Sequence, residues 1–298
     1  MRFAAIDIGS NAVRLQIARL NDNPDEPFKK VEFVRVPIRL GDDAFNNKKI
    51  SREKRKQLYK TMHAFKLLME LFEVKSYMAC ATSAMREAEN NEKIVKRIYE
   101  DFGINIKVIS GKRESELILK SILHYLKPDR NYLTIDVGGG STEMTVIENT
   151  IVKQSVSVDV GTVRLLDNVI HPENWNQLDQ FVKSHTPLIS NAKAIATSGT
   201  INKIASIVNP SLSEPSITYK ELLGFYTTIK KMSINQIIET YKVNPDRADV
   251  LEHSAYIYLK ILKLANIENL FAPSAGLKDG ILFELLEKYN RTRTALSV

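Results

Sequence analysis

Eight consecutive residues, Asp136-Val137-Gly138-Gly139-Gly140-Ser141-Thr142-Glu143, combine the side chains and the backbone freedom that phosphate chemistry needs. Three successive glycines let the chain pass close to a ligand and turn its N–H groups toward it. A run of such amides forms a concave anion site. Ser141 and Thr142 add hydroxyl donors. Asp136 and Glu143 are hard oxygen ligands, suited to a Mg²⁺ that keeps several of its waters. The plainer alternative is a glycine-rich hairpin with no ligand, but three glycines beside four polar groups are more than a turn requires.

The elements that hold this loop are legible around it. Residues 132–137 read as a strand, 142–148 as its return and 151–158 as a third. The same order opens the chain, with strands expected over 3–8, 12–20 and 29–38 and turns at 9–11 and 21–25. Asp7-Ile8-Gly9-Ser10-Asn11 lies over Asp136-Val137-Gly138-Gly139-Gly140, in each case an Asp at a strand end, one apolar residue and a Gly-led turn. Two such starts indicate a duplicated α/β domain, with a cleft that both loops face. The polar run Lys127-Pro128-Asp129-Arg130-Asn131 sets the expected boundary, giving domains 1–127 and 128–298. Ser51 is placed as the N-cap of a helix running to about residue 72. Strands follow at 76–81 and 104–109, with helices at 92–102 and 113–126. The last third reads as helices over 247–265 and 277–289 around a short strand at 269–272, then a frayed tail over 290–298.

Composition narrows the classes. The chain has 298 residues, 44% hydrophobic and 26% charged, with a net charge of +7. Residues 1–120 hold 24 Lys and Arg against 17 Asp and Glu, while the remainder is balanced at 18 of each. A basic first part suits a polyanion, although Lys48, Lys49, Arg52, Lys54, Arg55 and Lys56 read equally well as one solvated helix start. No interleaved aromatic pattern accompanies the charge, so nucleic acid is not expected. No window approaches the roughly 20 apolar residues of a membrane span, and an acid at position 7 comes too early for a signal peptide. The single cysteine, Cys80, sits in an apolar strand and reads as a packed hydrophobe, consistent with a reducing, cytoplasmic compartment. The five histidines show no metal-ligand spacing, and Trp175 reads as part of a helix entry.

Further runs join the two loops in one order: Arg39-Leu40-Gly41, Ala81-Thr82-Ser83-Ala84-Met85-Arg86-Glu87-Ala88, Val108-Ile109-Ser110-Gly111, Gly161-Thr162-Val163-Arg164-Leu165, Arg247-Ala248-Asp249 and Gly276-Leu277-Lys278-Asp279-Gly280. On these the chain resembles the exopolyphosphatase and guanosine pentaphosphate phosphohydrolase family (Ppx/GppA), in its short two-domain form. The resemblance implies an α/β fold of two RNase H-like domains of the actin and sugar-kinase superfamily. It also implies that Glu114, in Ser110-Gly111-Lys112-Arg113-Glu114, is the general base, and that Asp136 and Glu143 complete the catalytic set. By the same resemblance Asp7, Asp136 and Glu143 hold metal, and Ser10, Asn11, Arg86, Gly138, Gly139, Gly140, Ser141 and Thr142 hold phosphate. Arg113 departs from the family and could lower the pKa of Glu114 or touch phosphate, whereas Glu116 lies about 200° round the helix and should face away. For Arg86 the alternative is a surface ion pair with Glu87 or Glu89. Arg164 reads as structural or as part of the cleft mouth, and Ala196-Thr197-Ser198-Gly199-Thr200 stands where relatives carry a nucleotide-side loop.

The reaction implied is Mg²⁺-dependent release of terminal phosphate from inorganic polyphosphate, pppGpp or both, with K⁺ a candidate activator and a homodimer the candidate assembly. Two other readings stay open: a small-molecule kinase of the same superfamily, and a regulator that binds polyphosphate or (p)ppGpp without turnover.

Overall fold

The computed structural model describes residues 1–23, 26–190, 192–212 and 215–295. Of the expected turn at 21–25, Pro24 and Asp25 lie outside the described residues, as do 296–298 of the expected tail.

The chain opens with β1 (Arg2–Ile8), β2 (Val13–Leu20) and β3 (Phe28–Val36), then α1 (Leu40–Asn47) and α2 (Arg52–Leu71). There follow β4 (Ser76–Ala81), α3 (Ser83–Glu87), α4 (Asn91–Phe102), β5 (Ile106–Val108) and α5 (Gly111–Ile122). A single 3₁₀ turn, Leu123–Tyr125, replaces the end of the helix expected to reach 126. These strands form one sheet in the order β3-β2-β1-β4-β5. The β1–β2 and β2–β3 pairs are antiparallel, and the β1–β4 and β4–β5 pairs parallel. The central β1 is covered on both faces, with Phe3, Ala4, Ala5, Ile6 and Ile8 fully buried. This is why it reads as a continuous apolar run rather than an alternating one.

A second sheet repeats the plan. It contains β6 (Asn131–Val137), β7 (Thr142–Glu148), β8 (Ile151–Val158), β9 (Lys193–Ala196), β10 (Ser216–Thr218) and β11 (Asn269–Phe271). Its helices are α6 (Thr162–Leu166), α7 (Pro172–Ser184), α8 (Thr186–Ile189), α9 (Gly199–Val208), α10 (Tyr219–Ile229), α11 (Ile234–Tyr241) and α12 (Pro245–Ala265). The order β8-β7-β6-β9-β11 matches that of the first sheet, and β10 adds an antiparallel edge. The long α12 buries Leu251, Ala255, Tyr258, Leu259 and Leu262.

The last helix, α13 (Leu277–Ala295), corrects two expectations. It continues through the stretch expected to fray, and it belongs to the first unit. Leu277, Ile281, Leu282 and Leu285 enter one core with Phe3, Ala5, Cys80, Leu117 and Ile118. The units are therefore Met1–His124 with Leu277–Val298, and Tyr125–Gly276, rather than halves cut once at 127/128. Contiguity along the chain misled here, because the apolar face of α13 finds its complement on β1 and α5. Cys80 is buried in that core, and burial, with the charge of Asp7, pushes its thiol up to about 12.

Candidate active site

In the first unit the turn after β1 is closed by the Gly9 N–H donating to the Ala12 carbonyl at 3.1 Å. The carbonyls of Ser10 and Asn11 accept the N–H groups of Gly41 and Arg39 at 2.8 and 2.9 Å, which seats the loop on the start of α1. Arg39 takes a left-handed backbone (φ 58) to do so, a conformation that L-residues seldom adopt unless their surroundings hold it. Its carbonyl accepts from the Lys54 ammonium, and its side chain pairs with Asp42 at 3.2 Å. Lys54 is thus engaged, not part of a solvated basic face. Ser10 is largely buried, and its hydroxyl meets no hydrogen-bond partner among the described residues.

Asp7, buried at the end of β1, meets the Arg14 guanidinium at 2.6 Å. The two residues face each other across the β1–β2 pair. The charge of Asp7 is therefore already matched, and a metal there would compete with Arg14. Sequence reasoning passed over Arg14, although a hairpin turning over 9–12 puts position 14 opposite position 7.

The Ser110 hydroxyl caps α5 by accepting from the Arg113 N–H at 3.2 Å, an interaction typically worth about 1 kcal/mol. This fixes Glu114 in the first turn, 8% exposed. Arg86 reaches it at 3.6 Å, donates to the Ile109 carbonyl at 2.7 Å and to the Ser83 hydroxyl at 3.2 Å. Glu87, one of the two alternative partners for Arg86, meets Lys48 at 3.0 Å. Glu116 is exposed on another face, as helical spacing requires, and pairs with Arg113 at 3.0 Å. Arg113 also meets Glu284 at 2.9 Å, which accounts for the departure beside Glu114: its guanidinium is spent on α13.

In the second unit the loop of residues 138–141 has all its carbonyls engaged. Gly138 accepts from the Thr162 N–H, Gly139 from those of Val163 and Arg164, Gly140 from Arg164 Nε at 2.6 Å, and Ser141 from the Gly138 N–H. The amides of Gly139 and Gly140 have no acceptor among the described residues. Carbonyls drawn to one side and unspent N–H groups leave a local positive field that suits an anion. Gly161 makes the seat possible, because a side chain there would overlap the Gly139 carbonyl. Arg164, buried, is a support of this loop. Thr142 is corrected as a phosphate donor: it is fully buried and its hydroxyl donates to the Val160 carbonyl at 2.6 Å.

Asp136 and Glu143 are register partners across β6 and β7, and Glu143 and Ser157 across β7 and β8. The Thr197 hydroxyl donates to Asp136 at 2.7 Å, and the Ser157 hydroxyl to Glu143 at 2.7 Å. Like charges directly opposite in a sheet repel, a repulsion that a bound cation would relieve. Two carboxylates are enough for Mg²⁺, which retains waters, and no third His, Cys, Asp or Glu joins them in a ligand group among the described residues. Ser198, in the run of residues 196–200, caps α9 through its hydroxyl and meets the buried Tyr258 hydroxyl at 3.3 Å.

The model of the Ppx/GppA phosphatase family matches residues 21–289. A bifunctional 3-dehydroquinate synthase/phosphatase of Fusobacterium nucleatum is 27% identical over 87% of this chain and 43% of its own length. A guanosine-5'-triphosphate,3'-diphosphate pyrophosphatase of Vibrio atlanticus is 24% identical over 99% of this chain, which spans 62% of that relative. A putative exopolyphosphatase of Haemophilus influenzae is 22% identical, with 96% and 92% covered. Among solved structures, the Aquifex aeolicus Ppx/GppA protein superposes with a TM-score of 0.78 at 24% identity, covering 97% of this chain and 99% of that one. An exopolyphosphatase from Cytophaga hutchinsonii gives 0.83 at 20% identity, with 97% and 98% covered.

Proposed function

Because the chain belongs to the Ppx/GppA phosphatase family, we propose that it is a phosphohydrolase that removes the terminal orthophosphate of inorganic polyphosphate or of a guanosine polyphosphate. The observation that carries the reading is the loop of residues 138–141, whose carbonyls are all engaged while the Gly139 and Gly140 amides are unspent. In the second unit those amides hold phosphate oxygens together with Ser141; in the first, Ser10, Asn11 and Arg86 are the corresponding donors. Glu114 accepts a proton from water as the water oxygen bonds to phosphorus and the anhydride P–O bond breaks. The shortened chain leaves with the electron pair on its oxygen. Asp136 and Glu143 would hold Mg²⁺, which when bound supplies positive charge against the phosphate oxygens. Positioning and electrostatics do most of the work in phosphoryl transfer, so loops, cation and one base are chemically sufficient.

A phosphate-release assay on long-chain polyphosphate and on pppGpp, run side by side with Mg²⁺ and with excess EDTA, tests this. Release from at least one substrate, abolished by EDTA, is expected. Release from neither, by protein shown to bind both, would leave a sensor in place of an enzyme.

A further inference from the structure

We infer that Thr197 and Ser157 are positioning residues whose hydroxyls aim the carboxylates of Asp136 and Glu143 at a divalent cation. The inference rests on the metal role proposed above and adds to it the two side chains that shape the pair. Four neighbouring strands bring these residues to one level of the sheet. Asp136 faces Glu143, and Glu143 faces Ser157, in strict register. The Thr197 N–H donates to the Ile135 carbonyl at 3.2 Å, extending the β9–β6 ladder by one residue and setting Thr197 beside Asp136. The result is a transverse row of hydroxyl, carboxylate, carboxylate and hydroxyl.

Each hydroxyl sits on the outer side of the acid pair and donates to one carboxylate oxygen, Asp136 Oδ2 or Glu143 Oε1. A carboxylate held at one oxygen loses its freedom to rotate, and its other oxygen takes a defined direction. Thr197 is itself fixed. It is 3% exposed, and a side chain on Gly276 would press on its carbonyl at 3.0 Å. Neither hydroxyl can carry the metal's charge, so their contribution is orientation, the role that partners of ligating carboxylates play in metal sites generally.

The test is Mn²⁺ binding by the full chain without substrate, read by electron paramagnetic resonance. Thr197→Val keeps the shape of the side chain and removes the donor; Ser157→Ala removes the other donor from a less buried position. Each should weaken Mn²⁺ about 10- to 100-fold, and Thr197→Ser should restore most of the loss. Asp136→Asn should abolish binding, leaving the sharp spectrum of free Mn²⁺. Equal Mn²⁺ affinity in wild type, Thr197→Val and Ser157→Ala would overturn the inference while leaving the metal role standing. So would a Thr197→Ser variant as weak as Thr197→Val, since that is the mark of simple packing. Wild-type protein that binds no Mn²⁺ yet releases phosphate would overturn both the inference and the metal role, but not the hydrolase reading. Should Thr197→Val fail to fold, Ser157→Ala and Thr197→Ser decide the question.

Discussion

Glu114 and Glu116 stand two residues apart on α5 in opposite surroundings. The first is buried beside Arg86; the second is exposed and tied to Arg113. Glu114→Gln is nearly isosteric and removes only the ability to accept a proton, a contribution typically about 10²–10⁴-fold in rate. Turnover should fall by that factor with KM unchanged or lower, the pattern of an interaction made in the transition state, while Glu116→Gln behaves as wild type. A Glu114→Gln variant keeping more than about a tenth of the rate would remove this residue as the base. Helical spacing alone separated the two glutamates in the sequence. What it left dark was the direction of Arg113, because Glu284 is brought beside it only by tertiary packing. Thr142 was misjudged for a related reason. A hydroxyl next to a glycine loop suggests a donor to phosphate, and nothing in the local sequence shows that Val160 claims it.

At the scale of elements, α5 owes its position to α13. A side chain at Gly280 would overlap the Leu117 carbonyl, so the two helices approach as closely as backbones allow. Alanine is intrinsically better than glycine in a helix by about 1 kcal/mol, so a loose contact would make Gly280→Ala stabilising. The overlap predicts the opposite sign, a loss of about 1–3 kcal/mol in urea unfolding, with kcat falling as Glu114 moves with α5. The same interface carries Glu284. Burial works against its charge, yet hydrogen bonds from Lys120, Arg113 and Lys288 draw its carboxyl from the usual 4.5 down to about 2. A depressed carboxyl stabilises the fold above the unfolded pKa and loses that contribution as pH falls through the folded one. Wild-type stability should therefore fall between about pH 5 and pH 2 more steeply than that of Glu284→Gln, as followed by denaturant midpoints. Parallel midpoints for the two proteins would remove the network from acid stability. Most strands and the helices α2, α4, α5, α12 and α13 were legible as apolar runs and capped periodicity, Ser51 among them, with its hydroxyl accepting from Lys54, whereas α6 to α11 were given no bounds. The short α1 and α3 were not legible, since each is set by contacts of its flanking loops rather than by a repeating pattern.

Over the whole molecule, the positive excess lies in residues 1–120. Binding of long polyphosphate should weaken steeply with salt, and binding of orthophosphate much less, because screening acts on many exposed charge pairs in the first case and few in the second. Equal salt slopes for long and short anions would reduce the basic excess to solvated surface. Part of that excess is already neutralised, with Lys48 and Lys54 in ion pairs, so the slope will be smaller than a count of lysines suggests. Duplication was legible in the paired Asp-and-glycine starts, and both sheets keep one strand order. The division of the chain was not, because a helix says nothing in its own sequence about which of two similar sheets it will cover.

That division has a bearing on how the chain acquires its structure during synthesis. The second unit is contiguous and is synthesised in full before α13 is begun. The first unit cannot close its core until Leu277, Ile281 and Leu285 arrive to meet Phe3 and Leu117. Its earliest strand must wait for the latest helix, a contact of the greatest sequence separation and hence of slow formation. In refolding followed by pulsed hydrogen exchange, amides of β6 and β7 should gain protection before those of α5 and β1. The opposite order would mean that the first sheet is stable without its last helix. During that interval the face of β1 that α13 later covers is open to other chains, so a first unit still lacking its last helix is the stage most exposed to aggregation.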